Sequence, residues 1–173
     1  SYSRVYRGCY KETVVGIKVM HEHDETAVTT FQKEVAILKH LRHPNIIQYM
    51  GSCMDPPHLC IVSEFEPNGS LYKLLHKTAT PLTLDNKIMI ALGTALGMNY
   101  LHQRRTPIIH GDLKSANLLV RTDYHVRICD FGLSTTSDSR GLSEQGGTVE
   151  WAAPEVLNGS PSSLSSDVYS FGV

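Results

Sequence analysis

Apolar and polar positions change their spacing several times along the chain, and each change predicts a new element. Val5 to Cys9 and Thr13 to Met20 alternate or run apolar on either side of Tyr10-Lys11-Glu12, which predicts strand, short turn, strand. From Thr26 or Thr30 the spacing turns helical: Phe31, Val35, Leu38 and Leu41 fall on one face, Glu34 lies beside it, and Pro44 stops the helix. Strands follow at Tyr49-Met50-Gly51 and at Leu59 to Ser63, separated by the turn Asp55-Pro56-Pro57. The polar connection Glu64 to Gly69 leads to Ser70, an N-cap for a short helix through Leu71, Leu74 and Leu75. Leu84 to His102 is the longest helical pattern, with Leu84, Ile88, Ala91, Leu92, Ala95 and Met98 at helical spacing.

Farther on, Ile108-Ile109 and Leu118 to Val120 bracket a polar loop, which reads as strand, loop, strand, and Val126 to Cys129 is another apolar strand. The stretch from Leu133 to Gly147 is rich in Ser, Thr and Gly without an apolar period, the composition of a mobile loop. Gly147 to Glu155 regains apolar character, and the Ser-rich run from Ser160 to Ser166 reads as a loop.

The composition is that of an ordinary globular chain: 173 residues, 41% hydrophobic and 19% charged. With 16 basic and 17 acidic residues intermingled, there is no electrostatic footprint for nucleic acid or an anionic membrane surface. No apolar run is long enough to span a bilayer, and Ser1-Tyr2-Ser3-Arg4 lacks a signal-peptide pattern, so a cytoplasmic setting is expected. Cys9, Cys53, Cys60 and Cys129 lie far apart in sequence, with no Cys-x-x-Cys pair, and read as reduced thiols. His21 and His23 sit in a charged stretch with no matching ligand pair, and read as a solvated connection.

Candidate chemistry concentrates in Ile108 to Val120. Asp112, Lys114 and Asn117 occupy a loop pinned at both ends by apolar residues, so their side chains can converge on one small volume. Asp130, just after the next strand, adds a second carboxylate. Lys18, inside Val-Val-Gly-Ile-Lys-Val-Met, needs a partner or a ligand if its strand is buried; the alternative is an edge-strand lysine facing water.

In order and spacing, these segments resemble the protein kinases: Asp112-Leu113-Lys114-Ser115-Ala116-Asn117 their catalytic loop, Asp130-Phe131-Gly132 their metal-binding motif, and Ala153-Pro154-Glu155 the close of their activation segment. The resemblance covers essentially the whole chain. It implies an α+β, two-lobed fold, with an N-lobe at 1–63 (antiparallel sheet plus one helix), a hinge at 64–69 and a partial, mainly helical C-lobe at 70–173. The implied reaction is transfer of phosphate from ATP, with Mg²⁺, to Ser or Thr of a protein substrate. On that reading Lys18 contacts the ATP phosphates and Glu34 holds it, while Asp130 and Asn117 hold the metal. Asp112 orients the substrate hydroxyl and accepts its proton, Lys114 lies beside it, and Thr148 bonds to both. Val5, Ser63 in the gatekeeper place, Glu64, Phe65 and Glu66 in the hinge, and Leu119 complete the nucleotide-binding set. Trp151, Gly69-Ser70-Leu71 and the segment from Ser166 to Val173, which from Asp167 resembles the start of the buried helix of the C-lobe, resemble the tyrosine-kinase-like group of serine/threonine kinases, Raf and the mixed-lineage kinases among them.

Three departures qualify the resemblance. Gly111 stands where most kinases have Arg, so phosphorylation at Ser134, Thr135, Thr136, Ser137, Ser139 or Ser143 is not expected to be the main switch unless another basic residue, such as Arg127 or Lys39, reads it. Gly16 replaces the usual Ala, and Ser3 stands where the third Gly of the phosphate-covering loop belongs, with the earlier glycines expected upstream. The sequence reads as a fragment of a longer frame, whose missing helices would leave Leu92, Ala95 and the strand around Leu119 uncovered. A pseudokinase scaffold that binds partners without phosphoryl transfer is the alternative reading.

Overall fold

The computed structural model describes residues 3–21, 24–55, 58–77, 81–137 and 147–173. Its first part is a sheet of β1 (Ser3–Tyr10), β2 (Thr13–Met20), β3 (Tyr49–Cys53) and β4 (Cys60–Glu64), ordered β1-β2-β4-β3, with every neighbouring pair antiparallel. Lys11 and Glu12 at the first turn have φ of 46° and 65°. Two such residues twist a tight hairpin with the same hand as the strands it joins. Because β2 lies between β1 and β4, Lys18 is on an internal strand and not on an edge.

Helix α1 (Glu25–Leu38) is capped by Asp24, whose carboxylate accepts from Ala27 N at 2.7 Å, and buries Ala27, Phe31, Glu34, Val35 and Leu38. It ends well before Pro44. His40 N and Leu41 N bond back to Ile37 O and Leu38 O in a tightened final turn, which swings Leu41 into the core.

The rest of the described chain comprises α2 (Leu71–Lys77), α3 (Leu84–His102), β5 (Ile108–Ile109), β6 (Leu118–Val120), β7 (Val126–Ile128), β8 (Thr135–Thr136), α4 (Pro154–Leu157) and α5 (Leu164–Gly172). One apolar core runs from Phe31, Leu38 and Ile61 through Ile46 to Met98, Leu101, Ile128 and Phe131, tying the sheet and α1 to the helical part. Burying each such side chain stabilises the fold by roughly 1.5–3 kcal/mol.

Three elements differ from the expectation. Helix α3 buries Ile90, Gly93, Thr94, Gly97, Met98 and Leu101, whereas Leu84, Ile88 and Leu92 are 72%, 54% and 53% exposed. The helix approaches β7 so closely that a Cβ on Gly97 would lie 2.7 Å from Ile128 Cδ1 and 3.0 Å from Asn45 O. The packed seam therefore combines the small residues Gly93, Thr94 and Gly97 with Ile90, Met98 and Leu101, while Leu84, Ile88 and Leu92 lie on a different face.

The Ser-rich run is also not all loop, because Ser163 caps α5 in a reciprocal arrangement with Ser166 (3.1 and 2.8 Å), so the helix starts at Leu164. The beginning of the segment read as a mobile loop is ordered: Thr135 and Thr136 pair with Ile109 and Ile108, and buried Ser134 donates its hydroxyl to His110 O at 3.0 Å. Ser139 and Ser143, like Glu22, His23, Pro56 and Pro57, lie outside the described residues.

Candidate active site

Lys18 is aimed by the register of β2, where it stands opposite Val5 on one side and Ile61 on the other. Its Nζ lies 2.8 Å from both oxygens of Glu34 and 2.7 Å from Asp130 Oδ1. Glu34 reaches it from the buried face of α1, and that face explains how a carboxylate can sit in the core: it is paired. Burial works against the ammonium, but the carboxylates of Glu34 and Asp130 outweigh it and hold Lys18 charged well beyond its usual range. Burial likewise opposes ionisation of Asp130, and Lys18 overcomes it, keeping that carboxyl below its ordinary value. Glu34 is pushed up by burial against the pull of Lys18; with two short contacts to a held ammonium, the charged pair is the state the geometry supports.

Asp130 has φ of 66°, a left-handed conformation uncommon for a residue with a side chain. Neighbours over-determine it: Cys129 N bonds to Asn117 O at 3.0 Å, and Phe131 is fully buried against the ring of His110, 5.2 Å between centroids.

The loop after β5 converges as its apolar ends predict. Asp112 Oδ1 accepts from Thr148 N at 3.1 Å and Thr148 Oγ1 at 2.9 Å, while Oδ2 accepts from Lys114 Nζ at 2.6 Å and Asn117 Nδ2 at 3.0 Å. Lys114 also donates to Thr148 Oγ1, so the four side chains form one cluster. A cavity of about 360 Å³ gathers Lys18, Glu34, Asp112, Lys114, Asp130 and Thr148 on its walls. Asn117 joins them through its bonds to Asp112.

The remaining expected residues lie outside that cavity's lining. Val5 is 69% exposed opposite Lys18, and Ser63 faces Gly16 across β2 and β4, its hydroxyl on Glu64 O at 3.2 Å. Glu64 ends β4, accepts from Gln48 N at 2.8 Å, and has Arg127 Nε 2.9 Å away. Glu66 is 3.7 Å from the same Nε, and burial together with Glu64 raises its carboxyl above the ordinary range. Phe65 lies under the guanidinium of Arg7, 5.8 Å from the ring centroid, and Leu119 pairs with Arg127 in the β6–β7 ladder. Arg127 thus sits beside two carboxylates, Glu64 and Glu66, while its buried Nε makes no hydrogen bond among the described residues.

Sequence reasoning missed Asp167. Its oxygens accept from His110 N at 2.8 Å, Gly111 N at 2.9 Å and His102 Nε2 at 2.9 Å, fixing the backbone that carries Asp112. Asp167 lies in the first turn of α5, an ordinary place for an Asp, and its burial shows only in the fold.

Asp130 and Asn117 offer a carboxylate and an amide carbonyl, the hard oxygen donors that magnesium takes alongside water and phosphate oxygens. No group of three or more His, Cys, Asp or Glu able to hold a metal occurs among the described residues. No described helix is long and apolar enough to cross a membrane.

Known proteins give the same picture. Serine/threonine-protein kinase CTR1 of Arabidopsis thaliana is 50% identical over 179 residues, covering 100% of this chain and 22% of its own length. The Arabidopsis protein named probable serine/threonine-protein kinase SIS8 is 48% identical over 177 residues (100% and 17%), and drkA of Dictyostelium discoideum, named in the same way, is 41% identical over 175 (100% and 27%). The chain therefore spans between 17% and 27% of the length of these three relatives. The profile of the family described as protein tyrosine and serine/threonine kinase matches residues 1–173, so the expected kinase domain is borne out and the chain belongs to the protein kinase family.

Proposed function

We propose that this chain carries the phosphoryl-transfer centre of a serine/threonine protein kinase of the tyrosine-kinase-like group, acting in cytoplasmic signalling on protein substrates. The observation that carries the reading is the closed cluster of Asp112, Lys114, Asn117 and Thr148 facing the Lys18–Glu34–Asp130 group across one cavity. Residues 1–63 form the N-lobe, 64–69 the hinge and 70–173 part of the C-lobe. ATP lies between them, against Val5, Ser63, the Glu64–Glu66 backbone and Leu119.

Lys18, held charged by Glu34, binds the phosphates of the nucleotide. Asp130 and Asn117 hold Mg²⁺, which when bound neutralises charge on the phosphates. Asp112 orients the acceptor hydroxyl and takes its proton, while Lys114 offers a cation beside the transferred group. Thr148 keeps Asp112 and Lys114 in one geometry. The serine/threonine preference is supported by Lys114 within Asp-Leu-Lys-Ser-Ala-Asn and by Thr148 bonding to it, together with the names of the relatives.

The test is a radiolabelled Mg-ATP assay of the full-length protein on Ser, Thr and Tyr peptides. Labelling of Ser or Thr that Asp130→Ala lowers by at least about a hundredfold is expected, because the metal loses its carboxylate. Equal labelling by wild type and variant overturns the reading, and nucleotide binding without any transfer identifies the scaffold alternative instead.

A further inference from the structure

Cys53 and Cys60 are far apart by sequence motif, yet the fold makes them direct partners: Cys53 ends β3, Cys60 begins β4, and the register pairs them across the antiparallel ladder. Directly opposite residues of such a ladder project from the same face, with Cα atoms about 4.5 to 5.5 Å apart. A disulfide requires about 4.4 to 6.8 Å, so the backbone already satisfies its span. Both cysteines are free thiols and half-buried. Cys9, by contrast, pairs with Val14, and Cys129 bonds through its sulfur to Asn117 O at 3.4 Å, so neither shares this arrangement.

We propose that Cys53 and Cys60 form a dithiol modification site, converted to a cross-strand disulfide by a low-molecular-weight disulfide of the glutathione type. The thiolate of one cysteine attacks a sulfur of oxidised glutathione. That S–S bond breaks, and one glutathione leaves as a thiolate that takes up a proton. The second cysteine, deprotonated in turn, attacks the protein-side sulfur of the mixed disulfide and expels the second glutathione. Two protein thiols are oxidised to one disulfide, and one glutathione disulfide is reduced to two glutathiones. The register makes the second step fast, because the attacking sulfur is already the cross-strand neighbour of the mixed disulfide.

The link lies on the sheet face away from Lys18. Lys18 pairs with Ile61, the residue after Cys60, and successive strand residues project to opposite faces. The site is therefore separate from the groups assigned to phosphoryl transfer.

The experiment incubates the full-length protein in glutathione redox buffers, quenches with acid, alkylates the remaining thiols and maps peptides by mass spectrometry without reduction. Wild type is expected to yield a Cys53–Cys60 linkage two hydrogens lighter than the dithiol and free of glutathione. Cys53→Ser and Cys60→Ser are each expected to retain one glutathione on the remaining cysteine of the pair, and to keep wild-type phosphoryl transfer under reducing conditions. Glutathione retained at both positions of wild type overturns the proposal, as does linkage to Cys9 or Cys129, or two thiols that stay alkylatable at every buffer ratio.

Discussion

Asp167 and Gly111, 56 residues apart, are joined by a 2.9 Å bond from the Gly111 amide to one carboxylate oxygen, while the other oxygen takes the amide of His110 at 2.8 Å. The helix α5 thereby grips the backbone that presents Asp112. Such charge-assisted bonds are worth about 1.5–3 kcal/mol each, and a buried N–H left unpaired costs its desolvation. Asp167→Asn turns one acceptor into a donor facing another donor. A loss of about 2–4 kcal/mol in denaturant unfolding is expected for the full-length protein; a change under about 0.5 kcal/mol would show that the grip is dispensable.

Lys18→Met removes the cation that Glu34 and Asp130 share. Phosphoryl transfer is expected to fall by at least about a hundredfold, since charge on the nucleotide loses its partner and Asp130 loses its anchor. Steady-state kinetics on a Ser/Thr peptide provide the check, and a variant within about threefold of wild type would contradict the role.

Gly111 has φ of +77°, and a Cβ there would stand 3.1 Å from Leu133 O. Gly111→Ala should therefore destabilise the fold by about 1–2 kcal/mol, through left-handed strain and crowding together. Thermal melts of the two proteins side by side decide this, and an unchanged or raised midpoint would refute it.

The Cys129 thiol is pushed up to about 12 from 9.0, first by burial and then by the nearby Asp130 carboxylate. Its contribution to stability is complete below about pH 9. Above that the unfolded chain sheds the thiol proton while the folded chain keeps it, so stability falls as pH rises, by at most about 1.4 kcal/mol per unit. Urea unfolding from pH 8 to 10.5 should show wild type losing more stability than Cys129→Ala. Parallel pH profiles would remove Cys129 as the cause.

The parts of the site carried by short, sharply bounded segments were legible in the sequence. Asp112, Lys114 and Asn117 sit between apolar strands, and Lys18 on β2 meets Glu34 on the helical face read from Phe31, Val35 and Leu38. What stayed hidden depends on contacts that periodicity does not encode. Gly93 and Gly97 sit in the buried seam of α3 because close backbone approach, not side-chain size, sets that part of the contact, whereas Leu84, Ile88 and Leu92 stay exposed. Ser163 and Ser166 looked like loop because serine favours both loops and caps. Strand β8 is too short to show alternation, and its partner lies some 26 residues earlier, as the pairing of Ile109 with Thr135 shows. Asp167 escaped because only the fold reveals the amides it serves.

The placement of Arg127 has a consequence for cooperativity. Its strand β7 ends at Ile128, two residues before Asp130, while its guanidinium lies 2.9 Å from Glu64 and 3.7 Å from Glu66. Any local opening that detaches β7 must also break an ion pair with the segment after β4, so the two should unfold as one foldon. In native-state hydrogen exchange the amides of Val126 to Ile128 and of Val62 to Glu64 are then expected to share one opening free energy, and Arg127→Leu should let them drift apart.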